Sequence, residues 1–332
     1  MYQRLKRACN IIRKEGVKGT ILNHAFYRIY FKEKGKIIQG RLKLGERNHV
    51  VELMNGKKLM VNVKDEGASF DILVSQHRMR EDFVTKFLLG SLLREDRQDT
   101  FLDIGANIGY YTVLLSDYFK KIISVEPVQE NIEYLRRNVN LNNLNNKVTI
   151  VRGAIGEKKD FAYILKDKAL NLSKITKNLD VNKTGLEKVP SYRLMDIPFD
   201  GKITFLKMDV EGYEYNILKS NKDFFEKISP DTLFIEIHFD VLDNSKCEEI
   251  LSLLQEWGYN VKKAFVEVKG PIYLWRGFKK YVFQTYLEKF IYKRKIGEIY
   301  SDVPITTILS DKPLIEGRLG AIEFIFNRNS KN

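Results

Sequence analysis

The sequence predicts an α/β fold on a mostly parallel sheet, and three observations carry that prediction. Apolar Thr100-Phe101-Leu102 runs into Asp103-Ile104-Gly105-Ala106-Asn107-Ile108-Gly109 and then Tyr110–Leu115, which reads as strand, tight turn, helix. Strand and helix patterns alternate from Asp99 onward, the mark of βαβ units whose helices cover both sheet faces. A last strand, Gly320–Phe326, follows the sixth after a long gap and must run back antiparallel, giving seven strands in all.

Taken in order, residues 2–33 carry helix-like spacing, broken near Gly16 and Gly19. His49–Val63 reads as a hairpin joined at Asn55-Gly56, a type I′ turn signal. A helix over Arg80–Arg94 places Phe83, Phe87, Leu88 and Leu92 on one side. Residues 1–95 thus form an N-terminal addition, and 96–332 a core. Core strands are expected at Thr100–Ile104, Lys121–Val125, Lys147–Arg152, Ile203–Asp209, Thr232–His238 and Tyr259–Val268. Helices fall at Ile108–Phe119, Gln129–Asn142, Tyr213–Leu218 and Ser245–Trp257. The segment 269–319, between the sixth and last strands, should overhang the carboxyl ends of the strands as a basic, aromatic cap.

Ligands of such sheets bind at those carboxyl ends, near the switch in strand order. Gly105 and Gly109 remove Cβ atoms that would block a ligand from the turn, and the helix that follows turns free N–H groups and a positive dipole end towards it. Asn107 and Tyr110 stand where a pyrophosphate-binding Gly-x-Gly-x-x-Gly turn has its second and third glycines, so a dinucleotide is the weaker reading. A nucleoside with a small carboxylate fits better, and S-adenosylmethionine is one. Glu126, ending the run Lys121–Val125 about twenty residues after the first glycine, can accept both ribose hydroxyls.

Two strands then carry charge where a buried strand has no room for it. Residues two apart share a face, so Lys207 pairs with Asp209, and Glu236 with His238. If the strands are neighbours, four ionisable groups meet at one rim. A hydroxyl acceptor needs a base in hydrogen-bond reach. His238 has the most suitable ordinary pKa and Asp209 is the second choice, with Glu236 orienting the imidazole and Lys207 holding Asp209 ionised. Asp209, Glu236 and His238 could instead bind a divalent ion that acidifies the hydroxyl.

The chain has 332 residues, 44% of them hydrophobic, enough for one large core with additions. Cys9 and Cys247 match no zinc or redox spacing, and a reducing cytoplasm is the simplest home. No run is long and apolar enough to span a membrane. The net charge of +13 is concentrated in residues 1–36 and 276–295, both also aromatic or aliphatic. Such segments suit an anionic membrane surface, a polyanionic substrate or nucleic acid, and solvated charge is the plain alternative.

The chain resembles the FkbM family of S-adenosylmethionine-dependent methyltransferases. The matching runs are FLDIGANIGYYT at 101–112, VEP at 125–127, AIGEK at 154–158, LKMDVEGYE at 206–214 and FIEIH at 234–238. The resemblance implies a Rossmann-like class I methyltransferase sheet and O-methylation of a sugar, glycolipid or polyketide hydroxyl. By position it implies cofactor contacts from Gly105, Asn107, Gly109 and Glu126, with Ala154 near the adenine; Asp103, just before the turn, is a further candidate contact. A sugar or glycolipid-type acceptor is the leading expectation. A nucleic-acid methyltransferase is second: no Pro-Pro pair exists for an amino-methylating motif, and neither cysteine ends a core strand. A catalytically silent binding protein is third, and the intact glycine turn and Glu126 speak against it.

Overall fold

The structure, a computed structural model, describes residues 48–63, 65, 69, 72, 82–93, 98–165, 174–175, 186–239, 241–266, 297–315 and 321–328. Helices expected over 2–33 and the basic stretch 276–295 lie outside the described residues. β1 (Asn48–Glu52) and β2 (Lys58–Asn62) form the expected antiparallel hairpin. Its turn differs from the type I′ reading. Gly56 N–H returns to Leu53 O at 3.0 Å, Leu53 N–H meets Lys57 O at 2.7 Å, and only Gly56 has positive φ. This is a three-residue loop with glycine in the left-handed position. Asn55 stays right-handed, its amide donating to Leu114 O at 2.9 Å.

Helix α1 (Asp82–Leu92) leads into β3 (Gln98–Ile104), α2 (Tyr110–Leu114), β4 (Phe119–Glu126), α3 (Gln129–Leu141) and β5 (Val148–Arg152). α2 is shorter than its spacing predicts because the chain tightens into a 3₁₀ turn at Ser116–Tyr118 before β4 begins at Phe119. Short strands β6 (Ala154–Ile155), β7 (Asp160–Leu165), β8 (Lys174–Ile175) and β9 (Leu186–Tyr192) follow. The chain then returns through β10 (Ile203–Met208), α4 (Glu214–Ser220), α5 (Lys222–Lys227), β11 (Thr232–His238), α6 (Asn244–Glu256) and β12 (Tyr259–Val266). β13 (Gly297–Val303), α7 (Ile305–Leu309), α8 (Lys312–Ile315) and β14 (Ala321–Arg328) complete the described elements.

The main sheet runs β13-β12-β14-β11-β10-β3-β4-β5. β14 is antiparallel to both β11 and β12, as a returning last strand must be. β3 and β10 are adjacent and parallel, so the order switches between them. The sheet has one strand more than the seven expected. Gly297–Val303, placed in the overhanging segment by the sequence, instead pairs antiparallel with β12 at the sheet edge. Its Ile299, Tyr300 and Val303 pack partly buried against the core there. A second sheet, β6-β9-β7-β8, was not foreseen.

Period-two alternation divides the core. One face sends Leu102, Ile104, Leu206, Met208, Ile235 and Ile237 against α4 and α6. The other sends Phe101, Phe205 and Phe234 against α1, α2, α3 and the hairpin, with Phe101–Phe205 and Tyr111–Phe234 meeting edge-on. Asp103, Lys207, Glu236 and His238 continue this aromatic face at the carboxyl ends of its strands. No helix among the described residues is long and apolar enough to cross a membrane.

α3 secures the hairpin with two amides four residues apart. Asn138 accepts from Met60 N–H at 2.6 Å and donates to Met60 O at 3.1 Å; Asn142 does the same to Lys58 at 2.9 and 2.7 Å. Asn138 also donates to Ile108 O at 2.8 Å, so one buried amide joins hairpin, helix and glycine turn.

Candidate functional site

A cleft of about 620 Å³, counting its open mouth, lies at the carboxyl ends of β3, β4 and β10. Gly105, Asn107, Glu126, Val128 and Asn131 form one side, and Asp209, Val210 and Glu211 another. Ala154, Ile155 and Ile164, from the small sheet, supply an apolar wall.

The glycine turn is set by packing as much as by any ligand. Gly105 has φ +75°, and a Cβ there would meet Asp209 O at 2.0 Å. Gly105 and Ala106 N–H both bond Val125 O, at 3.0 and 3.1 Å, which fixes the turn to β4. Gly109 does not line the cleft; the space of its missing Cβ is taken by Leu135, so its role is to let α2 pack on α3.

Glu126 is buried and has only neutral donors around it. Its Oε1 accepts from Val128 N–H at 3.0 Å and Asn131 Nδ2 at 3.1 Å, and its Oε2 from Asn107 N–H at 2.9 Å. Burial raises its pKa above the ordinary 4.5, and these bonds oppose that rise. The carboxylate is aimed, and Oε2 keeps acceptor capacity for hydroxyls in the cleft.

Asp103 corrects an expectation. It faces away from the cleft: fully buried, its Oδ2 accepts from Thr112 Oγ1 at 2.7 Å, and Lys207 Nζ lies 3.9 Å from its Oδ1. Burial raises its pKa, against the pull of Lys207 and Thr112. It supports the site from beneath and offers no cofactor contact. Lys207 Nζ also lies 3.7 Å from Asp209 Oδ2, donates to Gly105 O at 3.2 Å and sits 5.7 Å above the Tyr111 ring. It therefore ties the glycine turn to Asp209, as well as facing that carboxylate as expected.

The surroundings of His238 correct three more. Its Nδ1 is held by Glu214 Oε1 at 2.8 Å, while Nε2 lies 3.4 Å from Glu211 Oε2 and 3.8 Å from Glu236 Oε1. Glu214, not Glu236, orients the ring. Burial disfavours the charged imidazole, but Glu214, Glu211 and Glu236 outweigh it and push the pKa up to about 12. A ring whose proton is held this firmly by carboxylates is a poor general base, which corrects the first choice for that role. The candidate metal set changes too: the ligand atoms of Asp209, Glu211 and His238 all lie within 4.8 Å of one another, and Glu211 replaces Glu236.

Sequence reasoning missed Glu211 and Glu214, although both stand in the run LKMDVEGYE. The available signal was Gly212, which marks a turn after β10, with an acid on each side of it.

Residues 103–261 match the family model described as Methyltransferase FkbM domain. A curated tRNA/tmRNA (uracil-C(5))-methyltransferase of Campylobacter lari is 28% identical over 112 residues, 32% of this chain. The chain spans about a third of that relative's length, 32%. Among solved structures, the FkbM methyltransferase of Methylobacillus flagellatus is 16% identical, covering 70% of this chain and 45% of its own, with a TM-score of 0.35. The tRNA m1G37 methyltransferase of M. jannaschii is 12% identical, covering 86% and 58%, with a TM-score of 0.41.

Proposed function

The chain carries an FkbM-family methyltransferase domain on a class I α/β sheet, and from that premise we propose that it transfers a methyl group from S-adenosylmethionine to a hydroxyl of a sugar or glycolipid-type acceptor. The observation that carries the reading is Glu126, buried at the end of β4, bonded only to N–H donors and opening on the cleft beside Gly105 and Asn107. A carboxylate so placed suits a ribose diol. Val128, Ala154, Ile155 and Ile164 suit the flat apolar face of a purine, so the residues present fit the cofactor.

When bound, the cofactor supplies a methyl group activated on a sulfonium centre. The chain's own residues do the rest. The cleft walls hold the acceptor oxygen in line, which contributes much of the rate. Asp209 and Glu211 face the cleft and are placed to accept hydrogen bonds, and finally the proton, from a sugar hydroxyl. Lys207 beside Asp209 favours its ionised form.

The nucleic-acid reading is supported by the Campylobacter lari relative and by the positive charge. Methylation at a pyrimidine carbon-5, however, calls for a thiolate to activate the ring. Cys247 is buried in α6, away from the cleft, and Cys9 lies outside the described residues. A hydroxyl acceptor asks for no thiol. The basic segments 1–36 and 276–295 would hold the enzyme at an anionic membrane surface where lipid-linked glycans are presented. Equal binding to anionic and neutral vesicles at low salt would remove that part.

The test is calorimetric titration with S-adenosylhomocysteine, followed by transfer of labelled methyl to glycan and tRNA pools. We expect saturable binding and label in the glycan fraction. Absence of binding to folded protein overturns the cofactor; label in tRNA alone overturns the acceptor.

A further inference from the structure

We propose that Asp209, Glu211 and His238 form a site for a first-row divalent cation at the cleft wall, which would hold the hydroxyl of the acceptor. This deepens the function proposed above and rests on it for the identity of the acceptor.

Geometry comes first. One ligand atom from each of the three residues lies within 4.8 Å of the others, and His238 Nε2 is 3.4 Å from Glu211 Oε2. Oxygen and nitrogen donors about 2.0–2.2 Å from a shared ion stand about 3 Å apart. Only a small inward movement is therefore needed.

The ring is also prepared for a ligand. Glu214, fully buried and itself anchored by Gly212 N–H at 3.0 Å, accepts a hydrogen bond from Nδ1 at 2.8 Å. An outer carboxylate on one ring nitrogen is the usual way a protein fixes a histidine so that the other nitrogen meets a metal. That other nitrogen, Nε2, is buried, points at the carboxylates and makes no hydrogen bond among the described residues. Glu211 reaches the position from a left-handed backbone, φ 54°, a strained state for this residue that its neighbours must hold.

Charge gives the third argument. Asp209, Glu211, Glu214 and Glu236 gather round His238 and Lys207, and Lys207 is shared with Asp103. A metal on Nε2 displaces a ring proton to solvent, so five carboxylates would then face Lys207 alone at a mostly buried rim, and a divalent ion offsets that charge. Two carboxylates and an imidazole favour Mn2+, Fe2+ or Zn2+ over Ca2+. With Asp209 and Glu211 committed to the ion, a hydroxyl held there would pass its proton to cleft water in place of those carboxylates, and more readily.

The probe is Mn2+, added to the full-length, metal-stripped protein and followed by the paramagnetic resonance of the free ion. We expect one saturable site per chain, with imidazole nitrogen coupling on the bound Mn2+. Glu211→Gln and His238→Gln should each weaken it about 10–100-fold, and Asp243→Asn, in the exposed cap of α6, should not. Absence of a saturable site, binding without nitrogen coupling, or unchanged affinity in both variants overturns the proposal. Nitrogen coupling is read on the unaltered protein, so a variant that fails to fold does not blunt the test. S-Adenosylhomocysteine is titrated into the same metal-stripped protein. Binding there without a Mn2+ site removes the cation and leaves the cofactor reading standing.

Discussion

Glu126 and Asp209 end the strands on either side of β3, one turn of chain from the same cleft, yet their surroundings are opposite in kind. Glu126 is held by three neutral N–H donors from Asn107, Val128 and Asn131. Asp209 stands 3.7 Å from the Lys207 ammonium and beside Glu211 and His238. Neutral donors aim a carboxylate without cancelling its charge, which suits a fixed acceptor for a neutral diol. Charged neighbours can respond when charge changes nearby, which suits the place where a proton leaves. Under the function proposed above, the first rim binds and the second does the chemistry.

The change expected to break both rims at once is Gly105→Ala. It forces a Cβ onto Asp209 O, 2.0 Å away, in a left-handed conformation that itself costs about 1–2 kcal/mol. S-Adenosylhomocysteine and Mn2+ binding should both be lost, with a lower melting temperature. If only one is lost, the rims are less joined than the contact implies.

Glu126→Ala should separate them. Two hydrogen bonds to an ionised group are worth about 3 kcal/mol or more, so cofactor affinity should fall at least about 100-fold by calorimetry. Mn2+ binding should be unaltered. Asn138→Ala tests the support beneath. It removes bonds to Met60 and Ile108, about 2–3 kcal/mol of stability by urea unfolding, and should weaken cofactor binding modestly while sparing the acid rim.

The smallest effect is in pH. The folded-state pKa of Glu126 is raised, so the folded protein holds this proton more tightly than the unfolded chain does. Lowering pH through the range above 4.5 therefore costs no stability at this residue, because protonation relieves the buried charge. It should nonetheless weaken S-adenosylhomocysteine binding while the melting temperature holds, and Glu126→Gln should abolish that dependence.

The placing of Gly105, Asn107 and Glu126 on one cleft was legible in the sequence because they are local. Strand, Gly105, Asn107 and the following Glu126 fall within one βαβ unit, where spacing alone places them. The acid rim is assembled across strands, and period two put Lys207 with Asp209 and Glu236 with His238 correctly on shared faces. What spacing could not give was the path of the chain after β10. A left-handed Glu211 turns its own carboxylate and that of Glu214 back onto His238, displacing Glu236 from the role assigned to it. Asp103 misled because it stands beside the glycine turn yet points under the sheet, where Thr112 and Lys207 hold it. β13 lies hidden within the expected overhang because a long connection between the sixth and last strands gives no spacing that marks an edge strand.

The amides of Asn138 and Asn142 stand where a third strand would bond the outer edge of β2. A strand edge with free N–H and C=O groups is a template on which other chains aggregate. A helix that imitates a strand with two carboxamides closes that template without extending the sheet. Replacing both with alanine should therefore make the protein self-associate, seen as mass rising with concentration in light scattering, even where the cleft still binds its ligand.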